Sequence, residues 1–267
     1  MNKHLTFILI QLKNNKIMKT RNLFFSAMLL SAMAITFTSC TDFVKKVALK
    51  AATESVDYEK EDTAKWGSVV DKDLDLPLFS AIDADGAVRI VFAQDSICSV
   101  RARGNEKCIA EYEFIVRKDE LKVKPKDFNG SVNNRTPSIT LFVTAPNLTD
   151  IEFAGAGKLE IPDEVTLPGT FSIEMEGAGD ISIGDLTAES LNLEISGAGK
   201  CEFAKVTTKG DIEIEMNGAG DINANVFCQE LSVELNGAAN AVFSGECKNY
   251  TCENNGACKA DFSNLKR

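Results

Sequence analysis

Histidine is almost absent from this chain of 267 residues, since His4 is its only one. His4 also lies inside an N-terminal segment that has the features of a removable signal peptide. Without imidazole, the remaining chain cannot form a Ser-His-Asp or Cys-His catalytic set or a zinc site that uses histidine. The residues between Ile151 and Lys266 also contain no arginine. These absences exclude many classes of enzyme.

The chain has no apolar run long enough to span a membrane comfortably. The longest, Leu23–Phe37, has about 15 residues, whereas a helix that crosses the hydrocarbon core needs about 20. It follows a short basic stretch that begins at Met18 and precedes small polar residues, which is the pattern of a signal peptide. We therefore predict that residues 1–39 are a signal peptide, and Met18 makes a better start than Met1.

The segment "FTSC" that ends at Cys40 resembles the lipobox of lipoproteins from Bacteroides-type bacteria. The resemblance implies that Cys40 receives the lipid and becomes the new N-terminus, and that residues 40–65 are a spacer. Its implied partner is the membrane, which the lipid enters, and its implied location is the cell envelope, at the outer membrane. Ordinary secretion with a free Cys40 is the alternative.

Basic residues are scarce in the part of the chain that follows the signal peptide. Removing five of the 29 basic residues leaves 24 against 39 acidic residues, a net charge of −15. Nucleic acids and anionic membrane surfaces bind proteins through concentrated lysine and arginine. The composition therefore excludes nucleic acid as a partner.

A glycine-rich motif recurs along the second half of the chain, at steps of 22, 20, 21, 19 and 19 residues. Recurrence at such a period is typical of stacked repeat architectures. Glycine permits a positive φ and a close approach of neighbouring backbones, so these motifs are predicted to be corners where the chain bends. The six corners begin at Gly155, Gly177, Gly197, Gly218, Gly237 and Gly256.

Apolar residues alternate with polar ones before and after each corner, which predicts two short strands per repeat with one buried face. Such short strands bury their apolar faces only when identical coils stack at about 4.8 Å. The sequence therefore predicts an all-β protein, a parallel β-solenoid with coils of about 20 residues. We expect one domain over residues 66–267, irregular in 66–146 and regular in 147–267.

Two outward-facing columns of charged residues follow from this alignment. The positions directly after the corners alternate in charge, an arrangement that favours the correct stacking register. The positions three residues before the corners are all glutamate: Glu152, Glu174, Glu194, Glu215, Glu234 and Glu253. This column is either a solvated face whose repulsion is screened or a stripe that binds a cation or another ligand. No dedicated metal motif accompanies it.

Seven cysteines follow Cys40, and two of them are one repeat apart. Cys228 and Cys247 should stack in neighbouring coils, within reach of a disulfide, although parallel stacking would strain that bond. Cys201 and Cys252 align with apolar core positions and are expected to be buried. The spacing does not match a cysteine metal site, so we expect neither a metal nor a cofactor.

The repeat pattern and two longer stretches of the sequence resemble one known family. The stretches "FSAIDADGAVRIVFAQD" and "LFVTAPNLTDIEFAGAGKLEI" and the successive Gly-Ala-Gly-Asp/Lys corners are similar to the auto-transporter adhesin head GIN domain family, DUF2807. The resemblance runs from about Phe79 to the C-terminus. It implies a right-handed parallel β-helix without established catalytic residues.

The sequence favours a non-catalytic envelope lipoprotein whose solenoid surface binds a glycan or a protein. The first alternative is a polysaccharide-processing enzyme of the β-helix type, which would need a strong base or a cation beside the substrate carboxylate. The second alternative is a purely structural envelope protein. The sequence supports the lipid anchor and the solenoid fold better than it supports the identity of any ligand.

Overall fold

The computed structural model of the chain describes residues 66–126 and 138–267. The predicted signal peptide, Cys40, the predicted spacer and residues 127–137 lie outside the described residues. The described residues belong to one compact unit, Asp62–Arg267. Among them, no helix has the length and apolar character that a membrane crossing requires.

The described residues form one large sheet that is wound into stacked coils, a β-solenoid of about six turns. The predicted fold class is therefore confirmed. The elements are β1 (Val69–Leu74), β2 (Ala81–Gln94), β3 (Ser99–Asn105), α1 (Glu106–Ala110), β4 (Tyr112–Arg117), β5 (Glu120–Pro125), β6 (Ile139–Ala145), β7 (Asp150–Ile161), β8 (Val165–Thr166), β9 (Thr170–Ala188), β10 (Ser190–Thr208), β11 (Ile212–Gly256) and β12 (Lys259–Lys266).

The strands after β6 pair in parallel and in the register that the corners predict. Gly155 pairs with Gly177, Gly177 with Gly197, and Gly197 with Gly218. Gly86 pairs with Gly155, so β2 is also a coil of the solenoid, although its sequence repeats the motif only loosely. The long strand β11 includes the corner glycines Gly218, Gly237 and Gly256, which lie over one another, because a Cβ on Gly237 would collide with Gly218 and one on Gly256 with Gly237.

Glycine is required at the corners because the backbones of neighbouring coils touch there. Gly197 has a φ of 148° and Gly218 a φ of 155°. A Cβ added to Gly197 would lie far inside van der Waals contact with the Gly177 carbonyl oxygen, and one on Gly218 would collide in the same way with Gly197. The corner is therefore set by backbone packing, as the sequence indicated.

Each coil contains one segment more than the two that the sequence predicted. After the second strand the ladder shifts between Phe203 and Val206, and a third short segment follows. In β9 and β10 this segment pairs Leu186 with Val206, and both side chains are buried. The third segment closes each coil around the core.

The core consists of columns of apolar side chains that stack from coil to coil. Phe171, Leu191, Ile212 and Leu231 form one such column, and none of them is more than 1% exposed. Fully burying a side chain of this size is worth about 1.5–3 kcal/mol, so each added coil contributes substantially to stability.

The first part of the described chain departs from the coil pattern. β1 and β3 pair antiparallel, and β3 pairs antiparallel with β6. β4 and β5 form a hairpin whose two turn residues, Lys118 and Asp119, have φ values of 53° and 63°. β5 then lies beside β2, where it pairs in parallel. This position brings the lysines of β5 next to the first acidic residues of the solenoid.

Aromatic rings close the C-terminal end of the core. The ring of Phe262 stacks on buried Phe243 at 5.1 Å and on Tyr250 at 4.4 Å between centroids. The guanidinium of Arg267 lies 4.2 Å from the centre of the Tyr250 ring. Stacked in this order, these side chains cover the last apolar layer of the described coils.

Candidate binding groove

The glutamates predicted to stack form a continuous line on the outer surface, which we call the glutamate row: Glu152, Glu174, Glu194, Glu215, Glu234 and Glu253. The first four are direct partners in the parallel ladder. The last two follow at the same 19-residue period as the hydrogen bonds Asn236 to Asn217 and Asn255 to Asn236. All six side chains point away from the core, and Glu152, Glu215 and Glu234 are half-buried.

At its N-terminal end the glutamate row continues into Asp83, which pairs with Glu152 in the ladder. The Asp83 carboxylate accepts contacts from the ammonium groups of Lys122 at 2.8 Å and Lys124 at 3.1 Å. Burial opposes its ionisation, but the hydrogen bonds and charges of the two lysines outweigh burial and hold the pKa of Asp83 below its ordinary value. The charge of Asp83, beside this end of the row, is therefore compensated within the protein.

Oxygens of Asp83, Glu120 and Glu152 lie close enough together to hold a metal ion. Lys122 already forms ion pairs with two of these residues, Asp83 at 2.8 Å and Glu120 at 2.7 Å. Its ammonium group supplies the positive charge that a cation would bring. Lys122 therefore offsets part of the negative charge of this cluster, mainly that of Asp83 and Glu120.

Amide side chains stabilise the C-terminal part of the row. Asn217 donates a hydrogen bond to Glu215 at 2.7 Å, and Asn236 donates one to Glu234 at 2.9 Å. The amides also bond to one another, since Asn236 donates to Asn217 and Asn255 donates to Asn236. The resulting asparagine ladder gives these carboxylates partners that the sequence analysis missed. Its signal was visible, because the three asparagines precede three successive corners.

In the middle of the glutamate row, the carboxylates have neither the lysine partners nor the asparagine partners described above. Glu174 and Glu194 are exposed, and among the described contacts neither forms an ion pair or a hydrogen bond. The residue that corresponds to Asn217 is Glu176 in the coil of Glu174, so a further acid replaces the amide. Burial and the negative charges of Glu194, Glu176 and Asp150 raise the pKa of Glu174. Repulsion between like charges is therefore not offset in this stretch.

Burial and nearby acids also raise the pKa values of two neighbouring carboxyl groups. The pKa of Glu152 is raised by burial and then by Asp83, Glu174 and other carboxylates. The pKa of Asp150 is raised by burial and by Glu120. A ligand that brings positive charge would reverse these shifts, since it would stabilise the ionised carboxylates.

An open groove with a volume of about 560 Å³ lies along this stretch, and we call it the acidic groove. It spans the coils from β7 to β11, and Ile173, Leu193 and Ile214, whose side chains are buried in the core, also border it. Short polar side chains such as Ser172, Asn192 and Ser232 lie between the acids. No aromatic residue lines it. The acids that line it are Asp150, Glu174, Glu194, Glu213, Glu215 and Glu234.

The second predicted column lies beyond the corners and behaves differently. Lys158, Asp180, Lys200 and Asp221 are successive partners, so the charges alternate as predicted. The lysines nevertheless pair within their own coil: Lys158 with Glu160 at 2.8 Å and Lys200 with Glu202 at 2.6 Å. Asn240 bonds across coils in this column and donates to Asp221 at 3.1 Å. The column is compensated and offers no comparable acidic surface.

The structure also places the predicted cysteines. Cys201 is buried at 1% exposure, and Cys252 is half-buried at the end of the core. Cys228 and Cys247 are both buried and free, on the inner side of the third segment of two neighbouring coils. The proposed lipidation site, Cys40, lies outside the described residues.

Comparisons with known proteins agree with this architecture. The profile of the family described as "Putative auto-transporter adhesin, head GIN domain" (DUF2807) matches residues 78–205 and 200–267. No curated protein matches the chain. A crystal structure from Bacteroides fragilis, described as a putative adhesin, is 21% identical with a TM-score of 0.56, and the alignment covers 75% of this chain and 98% of that chain. This likeness supports the fold.

Two crystal structures from Parabacteroides distasonis are also similar to the chain. One, described as a putative adhesin, is 14% identical over 75% of this chain and 98% of its own, with a TM-score of 0.45. The other, described as a putative lipid binding protein, is 15% identical over 73% of this chain and 97% of its own, with a TM-score of 0.44.

Proposed function

Because the chain belongs to the family of auto-transporter adhesin head GIN domains (DUF2807), we propose that it is a non-catalytic adhesin that holds an extended, positively charged ligand in the acidic groove. Membership in this family indicates a protein of the cell envelope or the cell surface. The ligand, its contacts and the lipid anchor are our proposals.

One observation carries the proposal: the acidic groove lies over the stretch of the glutamate row that the protein itself leaves uncompensated. Lys122 and Lys124 compensate Asp83 beside the N-terminal end of the row, and the asparagine ladder supports Glu215 and Glu234. Between them, Glu174 and Glu194 face the groove without such partners. A positively charged ligand in this stretch lowers the electrostatic energy of the folded protein. Such a ligand therefore binds preferentially to the folded state.

The lining of the groove favours a protein ligand with a basic segment over a glycan. Six carboxylates attract lysine and arginine side chains, and serine and asparagine can bond to an extended backbone. Sugar rings commonly stack on aromatic side chains, and the groove lining contains none. A glycan ligand is therefore the second candidate.

Catalysis is not favoured by this arrangement. Acid–base catalysis by two carboxylates relies on environments that push their pKa values apart, so that one donates a proton and the other accepts it. The glutamate row instead repeats one carboxylate in an open groove, and no pair within it is enclosed. A repeated row suits a ligand that makes the same contact several times.

Binding can be tested with the chain from Thr41 onward and a lysine-rich peptide, with a glutamate-rich peptide and a glycan array for comparison. We expect the lysine-rich peptide to bind at low salt and to weaken as salt rises. Replacing Glu174→Gln and Glu194→Gln should weaken this binding at least about fivefold. Replacing Asp180→Asn and Asp221→Asn, which removes equal charge from the other column, should change it little.

The outcomes separate the proposed functions. Equal weakening by both pairs of substitutions would mean that net charge, and not the groove, attracts the peptide. Specific binding on the glycan array without peptide binding would favour the glycan, and release of a shortened glycan would favour an enzyme. Absence of all binding would favour a purely structural protein.

We further propose that Cys40 anchors the protein to the outer membrane through a lipid. The supporting observation is the basic, apolar and small-residue pattern that precedes it. Replacing Cys40→Ala should release the protein from the membrane fraction or stop its maturation, and labelled palmitate should no longer be incorporated. Unchanged labelling of the variant would contradict this proposal.

A further inference from the structure

Cys228 and Cys247 stack directly on each other near the C-terminal end of the solenoid. A Cβ added to Gly245 would collide with the carbonyl oxygen of Val226, so residue 245 lies over residue 226. By the same register, Cys247 lies over Cys228. Cys228 is 9% exposed and Cys247 is 1% exposed, so both side chains point into the core.

The two thiols are close enough to act on each other. Burial, followed by the presence of Cys247, raises the pKa of Cys228 to about 12. Burial also raises the pKa of Cys247, although contact with Cys228 and the charge of Arg267 act in the opposite direction. Both groups are therefore protonated at neutral pH, and neither is a reactive cysteine by itself.

We propose that Cys228 and Cys247 are a dithiol–disulfide site that closes into a bond between two coils. The oxidant is a disulfide, either a small molecule or a dithiol oxidase of the envelope. One cysteine attacks it as the thiolate and forms a mixed disulfide, which releases the first thiol. The second cysteine then displaces the other half. Two protein thiols and one external disulfide thus become one protein disulfide and two external thiols.

The backbone geometry allows this bond and also predicts its character. Parallel neighbours in register have Cα atoms about 4.8 Å apart, inside the range of disulfides. Their Cβ atoms are parallel, however, and must approach each other to reach the usual separation of about 3.8 Å. The bond therefore pulls the two coils together, and a strained bond of this kind is readily reduced.

The position of the pair gives the bond a structural role. Cys247 is in the coil that precedes β12, and β12 has a neighbouring strand on one side only. A bond to Cys228 would fasten this coil to the one before it, so the exposed end would separate less readily from the stack. It would close a loop of about 19 residues and limit the freedom of the unfolded chain.

The other cysteines provide internal comparisons. Cys201 is buried in another column, where its neighbours Ile181 and Ile222 are not cysteines. Cys252 and Cys258 lie nearer the end, and the proximity of Cys258 raises the pKa of Cys252 after the larger effect of burial. This second pair is the competing partner for either thiol.

Peptide mapping of the purified full chain tests the proposal without any substitution. The protein is incubated with oxidised glutathione in its folded state, denatured, alkylated and cut after glutamate and lysine. Cleavage after Glu230, Glu246 and Lys248 separates Cys228 from Cys247, and Cys247 from Cys252. We expect the two peptides to be joined, with Cys201 fully alkylated. Recovery of Cys228 and Cys247 as alkylated peptides, or joined to Cys252 or Cys258, would overturn the proposal.

Thermal unfolding provides the second measurement. Oxidation should raise the Tm by about 5 °C, and mild native reduction should reverse the rise. The Cys228→Ala variant should lose this dependence, while Cys201→Ala should retain it. A redox-dependent Tm that survives in Cys228→Ala would overturn the assignment of the bond to this pair.

Discussion

Two parts of the molecule differ in how their charged side chains are paired. One is the first part of the described chain, residues 66–126 and 138–145, and the other is the set of regular coils from β7 to β12. In the first part, buried charges meet partners of opposite sign: Asp83 pairs with Lys122 of the same part, and Arg89 pairs with Glu160 of β7, in the adjoining regular coil. Along the glutamate row of the regular coils, a side chain meets its own copy in the next coil, so glutamate stacks on glutamate. Repetition simplifies the packing of apolar side chains, but along this row it also places like charges next to one another.

The same contrast applies to the backbone. The first part turns through a hairpin at Lys118 and Asp119, which are the only non-glycine residues with a positive φ among those that the structure describes. The coils turn through one glycine corner that recurs in every layer and fits only because each layer is the same. An error at one corner therefore affects both of its neighbours, whereas an error in the first part stays local.

Breaking one corner should have the largest effect. We expect Gly197→Ala to lower the free energy of unfolding by about 3 kcal/mol or more, because the new Cβ collides with the Gly177 carbonyl and the φ of 148° disfavours a side chain. Urea unfolding followed by circular dichroism measures the loss. Gly169→Ala is the matched control, since a Cβ there meets nothing within 4 Å. A loss below about 1 kcal/mol for Gly197→Ala would refute the proposed cause.

Removing a charge partner from the first part should have an intermediate effect. Lys122→Met leaves buried Asp83 with Lys124 alone, and we expect a loss of about 1–2 kcal/mol at pH 7. The pKa of Asp83 is lowered in the folded state, so its contribution is complete above its ordinary pKa and is lost as the pH falls through the folded value. The difference between variant and wild type should therefore shrink towards pH 3.

Lys209→Met is the control for this substitution. Lys209 forms an ion pair with Glu189 at 3.1 Å, but both side chains are exposed. Its loss should change stability by less than about 0.5 kcal/mol. Equal effects of the two lysine substitutions would show that the first part of the chain does not depend on its buried charge pairs.

Neutralising the middle of the glutamate row should have the smallest effect, and one of opposite sign. We expect Glu174→Gln with Glu194→Gln to stabilise the protein by about 0.5–1 kcal/mol at pH 7 and low salt, because it removes repulsion. The pKa of Glu174 is raised in the folded state, so the repulsion is absent below its ordinary pKa and appears as the pH rises through the folded value. The gain should vanish near pH 4 and decrease with salt.

Asp180→Asn with Asp221→Asn sharpens this last comparison. These aspartates pair with lysines in the ladder, so their neutralisation removes attraction and should destabilise the protein slightly. If Glu174→Gln with Glu194→Gln destabilised the protein, or if both pairs of substitutions changed stability with the same sign, repulsion along the glutamate row would not destabilise the free protein.

The features that repeat were the ones that could be predicted from the sequence. The glycine corners, the inward columns, the alignment of Glu152 to Glu215 and the burial of Cys201 all follow from one period. The third segment of the coil was missed because it contributes only two inward residues, such as Leu186 and Ala188, too few to show alternation.

Other features depend on contacts that occur only once. Lys122 meets Asp83 because the β4–β5 hairpin places β5 beside β2, and no repeated spacing announces that pairing. The uncompensated charge of the acidic groove likewise results from the absence of such partners at Glu174 and Glu194. That absence becomes visible only when the partners at both ends of the row are known. The asparagine ladder could have been found from its 19-residue spacing.

The equal spacing of the glutamate row has a consequence for how a ligand is held. A ligand shifted by one coil meets nearly the same carboxylates again, so it has several equivalent registers. Partial release at one end is followed by rebinding at a neighbouring position, where the local concentration of sites is high. Retention should therefore rise steeply with the length of the ligand, while its exact position stays undefined. Such a surface selects for length and charge and permits sliding along the solenoid axis.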